Sequence, residues 1–102
     1  LQNKNVFTGW LAYPITIKEN RYFDRTDLQI FLEKKNIQTR VVFTGNIMKQ
    51  PAFKNINCYK VDDYKSSDNI MKNSLLIGCH QGLSTKKVNY MHNAIKEFLG
   101  KI

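Results

Sequence analysis

Three polar side chains, Asn46, Lys49 and Gln50, stand among the apolar residues Ile47, Met48 and Pro51. Two amides and an ammonium can hydrogen-bond a ligand, and what precedes them could hold them in place. Thr39, Val41, Val42 and Phe43 are β-branched or aromatic, the types that fit a pleated, half-buried surface. Gly45-Asn46 then breaks the strand as a pair that tolerates positive φ. A buried strand that delivers a polar loop is a common way to build a binding site, because the scaffold fixes the loop. It is also how any strand ends, so both readings stand on these residues alone.

The other chemistry-bearing residues are sparse. Cys58 and Cys79 suit neither a disulfide framework nor a four-ligand zinc site. Cys79 and His80 are adjacent, and neighbours on a strand point to opposite faces, so they do not readily share a metal. His92 falls on a helical pattern far from both. The expectation is no metal site, reduced thiols and a cytoplasmic location. Sixteen Lys and Arg against eight Asp and Glu give a formal charge of +8, which attracts phosphates of any kind. The bases are scattered, with Lys34-Lys35 and Lys86-Lys87 as the only doublets, so a solvated surface accounts for them better than a nucleic-acid groove.

A chain of 102 residues has room for one domain and a modest core. No apolar stretch approaches a membrane span, and the start lacks the layout of a signal peptide. Leu1 stands where an initiating Met would be, and residues 1–10 read as a polar lead-in cut from an upstream neighbour. The expectation is therefore one domain, residues 1–102, excised from something longer.

The elements that must position the loop follow in order. Residues 11–18 read as a strand, with Pro14 confined to an edge or a strand start. Asp24 is an N-cap with Asp27 in the first turn, Leu28, Phe31 and Leu32 share a face, and Asn36 is a left-handed stop. Residues 52–59 read as a short turn of helix and a loop, and Ser67 or Asp68 as the cap of a short helix through Met71. Residues 74–80 make a near-continuous apolar, buried strand. Ser84 or Thr85 caps a last helix whose Val88, Met91, Ile95, Phe98 and Leu99 form a core face, ended by Gly100. This order predicts an α/β (α+β) two-layer sandwich, a short, mainly antiparallel or mixed sheet covered by helices.

Several of these runs together resemble a known family. They are Ile37-Gln38-Thr39-Arg40, Phe43-Thr44-Gly45-Asn46, Lys49-Gln50-Pro51-Ala52-Phe53, Ser67-Asp68-Asn69-Ile70-Met71, Leu75-Leu76-Ile77-Gly78 and Gly82-Leu83-Ser84. Tyr13-Pro14-Ile15 and Phe98-Leu99 fit the flanks. The pattern is similar to the C-terminal small domain of the DegT/StrS type of pyridoxal-phosphate-dependent sugar-nucleotide aminotransferases. Its Gly45-Asn46 and Gln50-Pro51 pairs resemble the branch of NDP-4-keto-6-deoxyhexose 3-dehydratases, typified by the CDP-sugar enzyme. Other branches commonly carry His, Tyr and Pro between the Thr-Arg pair and the turn, and this chain does not.

The resemblance implies the small domain of a fold-type I homodimer that acts on nucleotide-sugars for deoxysugar or O-antigen biosynthesis. In the dehydratase branch the cofactor works as pyridoxamine phosphate, which condenses with the C4 ketone and acts as an electron sink for loss of the C3 hydroxyl. The CDP-sugar enzyme also uses an iron–sulfur centre and a reductase partner. The catalytic His or Lys and most cofactor ligands belong to the large domain, so these residues alone should be inactive. An aminotransferase of the same family, or a small basic module binding RNA or another polyanion, remains the alternative.

By the same resemblance the substrate-binding candidates are Arg40, Asn46, Lys49 and Gln50. Arg40 matches the family's Thr-Arg motif, and its planar fork suits phosphate or sugar oxygens; the other reading is an ion pair with a helix carboxylate. Asn46 either hydrogen-bonds the sugar or positions the loop, or else is a turn residue with positive φ. Lys49 stands where the branch has Arg, keeping the charge for a diphosphate but losing bidentate geometry. Gln50 ties loop backbone together, and His80 is expected to be a packed, structural residue.

Overall fold

Asp24 starts the first helix as its spacing predicts. Its side chain accepts from the Asp27 N–H while the Asp27 side chain accepts from the Asp24 N–H, so two otherwise orphaned donors are satisfied. In the computed structural model, which describes residues 3–101, this helix α1 covers Arg25–Lys34. The chain leaves it through Asn36 in the left-handed region, φ 57°, as expected. Leu1 and Gln2, the beginning of the lead-in, lie outside the described residues.

Three strands form one antiparallel sheet: β1 (Ala12–Thr16), β2 (Thr39–Val41) and β3 (Ser74–Gly78), in the order β1-β3-β2. β3 is central because it is the most apolar strand, and a central strand is buried along both edges. Pro14 lies on edge strand β1, paired with Leu76, where its missing N–H costs no ladder bond. The residues beside Leu75 and Ile77 in register are Ile15, Tyr13, Val41 and Thr39, and this face carries the core. Leu75 and Ile77 pack with Leu28 and Leu32 of α1, Ile37, and Ala94 of the last helix α3 (Thr85–Leu99). The other face presents Ala12, Pro14, Leu76 and Arg40. The sandwich is thus two-layered and antiparallel, with α1 and α3 on one side.

α1 and α3 are tied by Phe31 on Phe98 at 5.2 Å between ring centroids and by a 2.7 Å Lys35–Glu97 ion pair. Helix α2 (Lys65–Asn73) precedes β3.

Several boundaries differ from the sequence reading. β2 ends at Val41, because Phe43 has φ 44° and donates its N–H back to the Val41 carbonyl, turning the chain two residues before Gly45. Two short 3-10 turns follow, Ile47–Lys49 and Pro51–Phe53. α2 begins after Tyr64, itself left-handed at φ 54°, rather than at Ser67 or Asp68. The Tyr64 N–H is held by the Asp62 carboxylate, which sets that turn. Gly100 does end α3, but at φ −77° and not in the left-handed conformation. On α3 the buried stripe is narrower than expected: Met91, Ile95 and Phe98 pack against the core with Ala94, whereas Val88 and Leu99 are 46% and 51% exposed.

Candidate functional site

Of the four candidate residues, one points outward alone and three fold into their own loop. Arg40 is exposed on β2, beside Leu76 in register. It lines an open depression of about 510 Å³ with Leu11, Ala12, Gln38, Phe43 and Leu76. Among the described residues it makes no hydrogen bond and no ion pair. The helix carboxylate that could have paired with it, Glu33, is engaged elsewhere. Glu33 Oε1 accepts from the Thr39 N–H at 2.5 Å and from the Thr39 hydroxyl at 2.8 Å, and Gln29 Nε2 donates to the same hydroxyl at 3.1 Å. The Thr39 backbone N–H foremost, then its hydroxyl, holds the Glu33 carboxyl below its ordinary value, with Arg40 a smaller influence.

Asn46 is 4% exposed, the reverse of a solvated turn residue, and its φ is −87°; of the Gly45-Asn46 pair it is Gly45 that has the positive φ, 63°. Its Oδ1 accepts from the Met48 N–H and caps the first 3-10 turn, while its Nδ2 donates to Asp68 Oδ1 at 2.7 Å. Lys49 Nζ lies 2.6 Å from the second oxygen, Asp68 Oδ2. Asp68 is therefore not a helix cap but the post to which the loop is tied. The Lys49 ammonium foremost, then the Asn46 amide, holds its carboxyl below the ordinary value. Gln50 Nε2 donates to the Thr44 carbonyl at 2.8 Å, closing the loop as expected. Gly45 sits against α2, where a Cβ would meet the Met71 Cβ at 2.3 Å.

Asp68 and the Gln29–Thr39–Glu33 group escaped the sequence reading. Asp68 reaches Asn46 and Lys49 across 22 and 19 residues, a separation that leaves no local signal. Gln29 and Glu33 did leave one: they are i, i+4 on α1, and the stop at Asn36 returns the chain past that face. His80 is exposed rather than packed, and its Nδ1 accepts from the Gly82 N–H in a local turn. Cys58 is exposed and Cys79 half-buried, both free thiols. Among the described residues no group of three or more His, Cys, Asp or Glu could hold a metal ion, and no helix is long and apolar enough to cross a membrane.

Such an arrangement can bind an anion at Arg40 against apolar walls.

Known proteins share this architecture. The solved GDP-4-keto-6-deoxymannose-3-dehydratase with a trapped PLP-glutamate geminal diamine superposes with a TM-score of 0.74 at 23% identity, over 83% of this chain and 22% of that one. The E. coli enzyme with bound hydrated PLP gives 0.71 at 24% identity, over 81% and 22%. The lipopolysaccharide biosynthesis protein RfbH of Salmonella typhimurium is 36% identical over 92 residues, 90% of this chain and 21% of its own length. The dTDP-4-dehydro-2,6-dideoxy-D-glucose 3-dehydratase of Saccharopolyspora spinosa is 34% identical over 93 residues, 91% and 20%. The chain thus spans about a fifth of the relatives it matches, with the fold of one part of a fold-type I enzyme. The profile of the DegT/DnrJ/EryC1/StrS aminotransferase family matches residues 1–96, and the chain belongs to that family.

Proposed function

We propose that these residues are the C-terminal small domain of a nucleotide-sugar 3-dehydratase that works with pyridoxamine or pyridoxal phosphate. The observation that carries the reading on this chain is Arg40, an unpaired guanidinium over an apolar hollow. A planar fork recognises phosphate oxygens in pairs, and Leu11, Phe43 and Leu76 supply surface for the less polar parts of such a ligand. The relatives support the class, since three of the four comparisons described above are named 3-dehydratases of dTDP- or GDP-linked sugars.

Within that enzyme the small domain binds and shields rather than reacts. The cofactor supplies an electron sink for breaking a bond at the sugar, and it is held by the rest of the protein. This chain contributes Arg40 toward the nucleotide diphosphate, and the loop 44–50 forms a fixed wall. Lys49 is a weaker candidate than Arg40, because Asp68 already neutralises it. The surface supports a domain designed to be covered: 8553 Å² is accessible, where about 6000 Å² is typical of a monomer of 12.0 kDa. A homodimer and a cytoplasmic location go with this reading. Cys58 and Cys79 lack the spacing of iron–sulfur ligands, so neither is assigned that role.

The test is the whole protein that carries this chain, mixed with pyridoxamine phosphate and CDP-, GDP- or dTDP-4-keto-6-deoxyhexoses. Reversible cofactor binding with loss of the sugar's C3 oxygen is expected. A cofactor absorbance that survives dilution, with amine transfer to the sugar, would make it an aminotransferase instead. No cofactor spectrum at all would remove the reading.

A further inference from the structure

We infer that Glu33 is a positioning residue for Arg40, acting through Thr39. The inference rests on the proposed role of Arg40 in binding a nucleotide diphosphate. β2 is a three-residue edge strand held by β3 along one side only, with Arg40 at its middle opposite Leu76. One side of β2 is held by the ladder to β3; the Thr39 N–H is taken by Glu33 instead of the sheet. Glu33 grips both the N–H and the hydroxyl of Thr39, and Gln29 braces that hydroxyl from the previous turn of α1. Thr39 is thereby pinned to the helix face of the sheet. Successive strand residues point to opposite faces, so pinning Thr39 sends Arg40 to the open face.

The same contacts solve an electrostatic problem. A carboxylate on the neighbouring helix would naturally pair with Arg40 and compete with any anionic ligand. Glu33 commits its Oε1 to the N–H and hydroxyl of Thr39, and no ion pair to Arg40 forms among the described residues. Glu33 thus orients the guanidinium without quenching it.

Glu33→Ala, Glu33→Gln and Thr39→Val in the whole protein test this, with three readouts. These are hydrogen exchange at the Thr39 amide, affinity for cytidine, guanosine and thymidine diphosphates, and KM against kcat for the nucleotide-sugar. Glu33→Ala is expected to speed exchange at Thr39, to weaken nucleoside diphosphate binding by about 10-fold or more, and to raise KM by a similar factor with kcat little changed, as misplacement of a binding group does. Glu33→Gln keeps an acceptor but loses its charge, and should fall between Ala and wild type. It also serves if the Ala variant folds poorly. Faster exchange at Thr39 with unchanged diphosphate affinity would overturn the inference, leaving Glu33 a purely structural brace. A wild-type protein that binds the diphosphates but turns over no nucleotide-sugar would count against the functional reading alone, and the exchange and affinity measurements would still decide the role of Glu33.

Discussion

Two ends of one short stretch handle their polar groups in opposite ways. At the strand end, Thr39 absorbs the nearby carboxylate and Arg40 is left with its guanidinium unpaired on an open face. Four residues later the loop closes on itself: Asn46 and Lys49 share the two oxygens of Asp68, and Gln50 holds the Thr44 carbonyl. A group whose hydrogen bonds are satisfied inside the protein must give them up to bind a ligand, and that exchange reduces the gain. The difference teaches that polar residues in one motif need not share one task. Arg40 is available, whereas the loop residues are occupied in making a wall.

The largest effect should come from attacking the wall. Gly45→Ala places a methyl group 2.3 Å from the Met71 Cβ at a residue with φ 63°. Overpacking and the left-handed conformation together predict a loss of about 3 kcal/mol, read from denaturant unfolding. A variant as stable as wild type would mean that the loop is not seated on α2.

Asn46→Ala comes next. It removes both the cap to Met48 and the bond to Asp68 from a buried position, for a loss of about 1–3 kcal/mol. Asn46→Asp should be worse, because it sets a second carboxylate against Asp68. If Asn46 instead serves the ligand, the order reverses: stability holds and affinity for nucleotide-sugar falls.

Arg40→Ala should show the opposite signature. An exposed, unpaired side chain contributes little to stability, so unfolding should shift by no more than about 0.5 kcal/mol. Affinity for the nucleoside diphosphate should drop roughly 10- to 100-fold, as expected for lost charge-assisted hydrogen bonds, with Arg40→Lys in between. Lys49→Ala, by comparison, should change affinity by less than about threefold. Equal losses at Arg40 and Lys49 would erase the distinction between the two regions.

What the sequence made legible was local. The Asp24–Asp27 box, the Asn36 stop and the edge position of Pro14 each depend on a few adjacent residues, and each is where its residue types predict. The errors lay where a contact overrides residue type. Phe43 is a strand former by type, yet the turn it must make gives it φ 44°. Tyr64 is a poor cap by type, yet the Asp62 carboxylate on its N–H holds the bend before α2. Asn46 looked like a turn residue because Asn usually is one, and only the arrival of α2 buries it. Of the four site residues, Gln50 ties loop backbone as its reading had it, and Arg40 lacks, among the described residues, the ion pair with a helix carboxylate that was one of its two readings. Asp68 was invisible as an anchor, since its partners lie 22 and 19 residues away, whereas the i, i+4 pair Gln29 and Glu33 left a local signal beside the stop at Asn36.

Acid gives the smallest effect and separates the two regions with the protein unmodified. Both anchors have folded-state pKa values below their ordinary ones, 4.5 for Glu33 and 3.8 for Asp68, the first chiefly through the Thr39 N–H and the second chiefly through Lys49. A depressed carboxylate stabilises the fold above its unfolded pKa, and that contribution fades as pH falls through the lower, folded value. Each clamp should therefore be intact at neutral pH and loosen only below the ordinary value of its own carboxyl. Amide resonances of Thr39 and Met48, followed on acidification, report the two clamps separately. Glu33→Gln should abolish the acid response at Thr39 and leave that at Met48, and Asp68→Asn should do the reverse. Loss of both responses in either single variant would show that strand end and loop move as one unit, and the division of labour between Arg40 and the wall would fail with it.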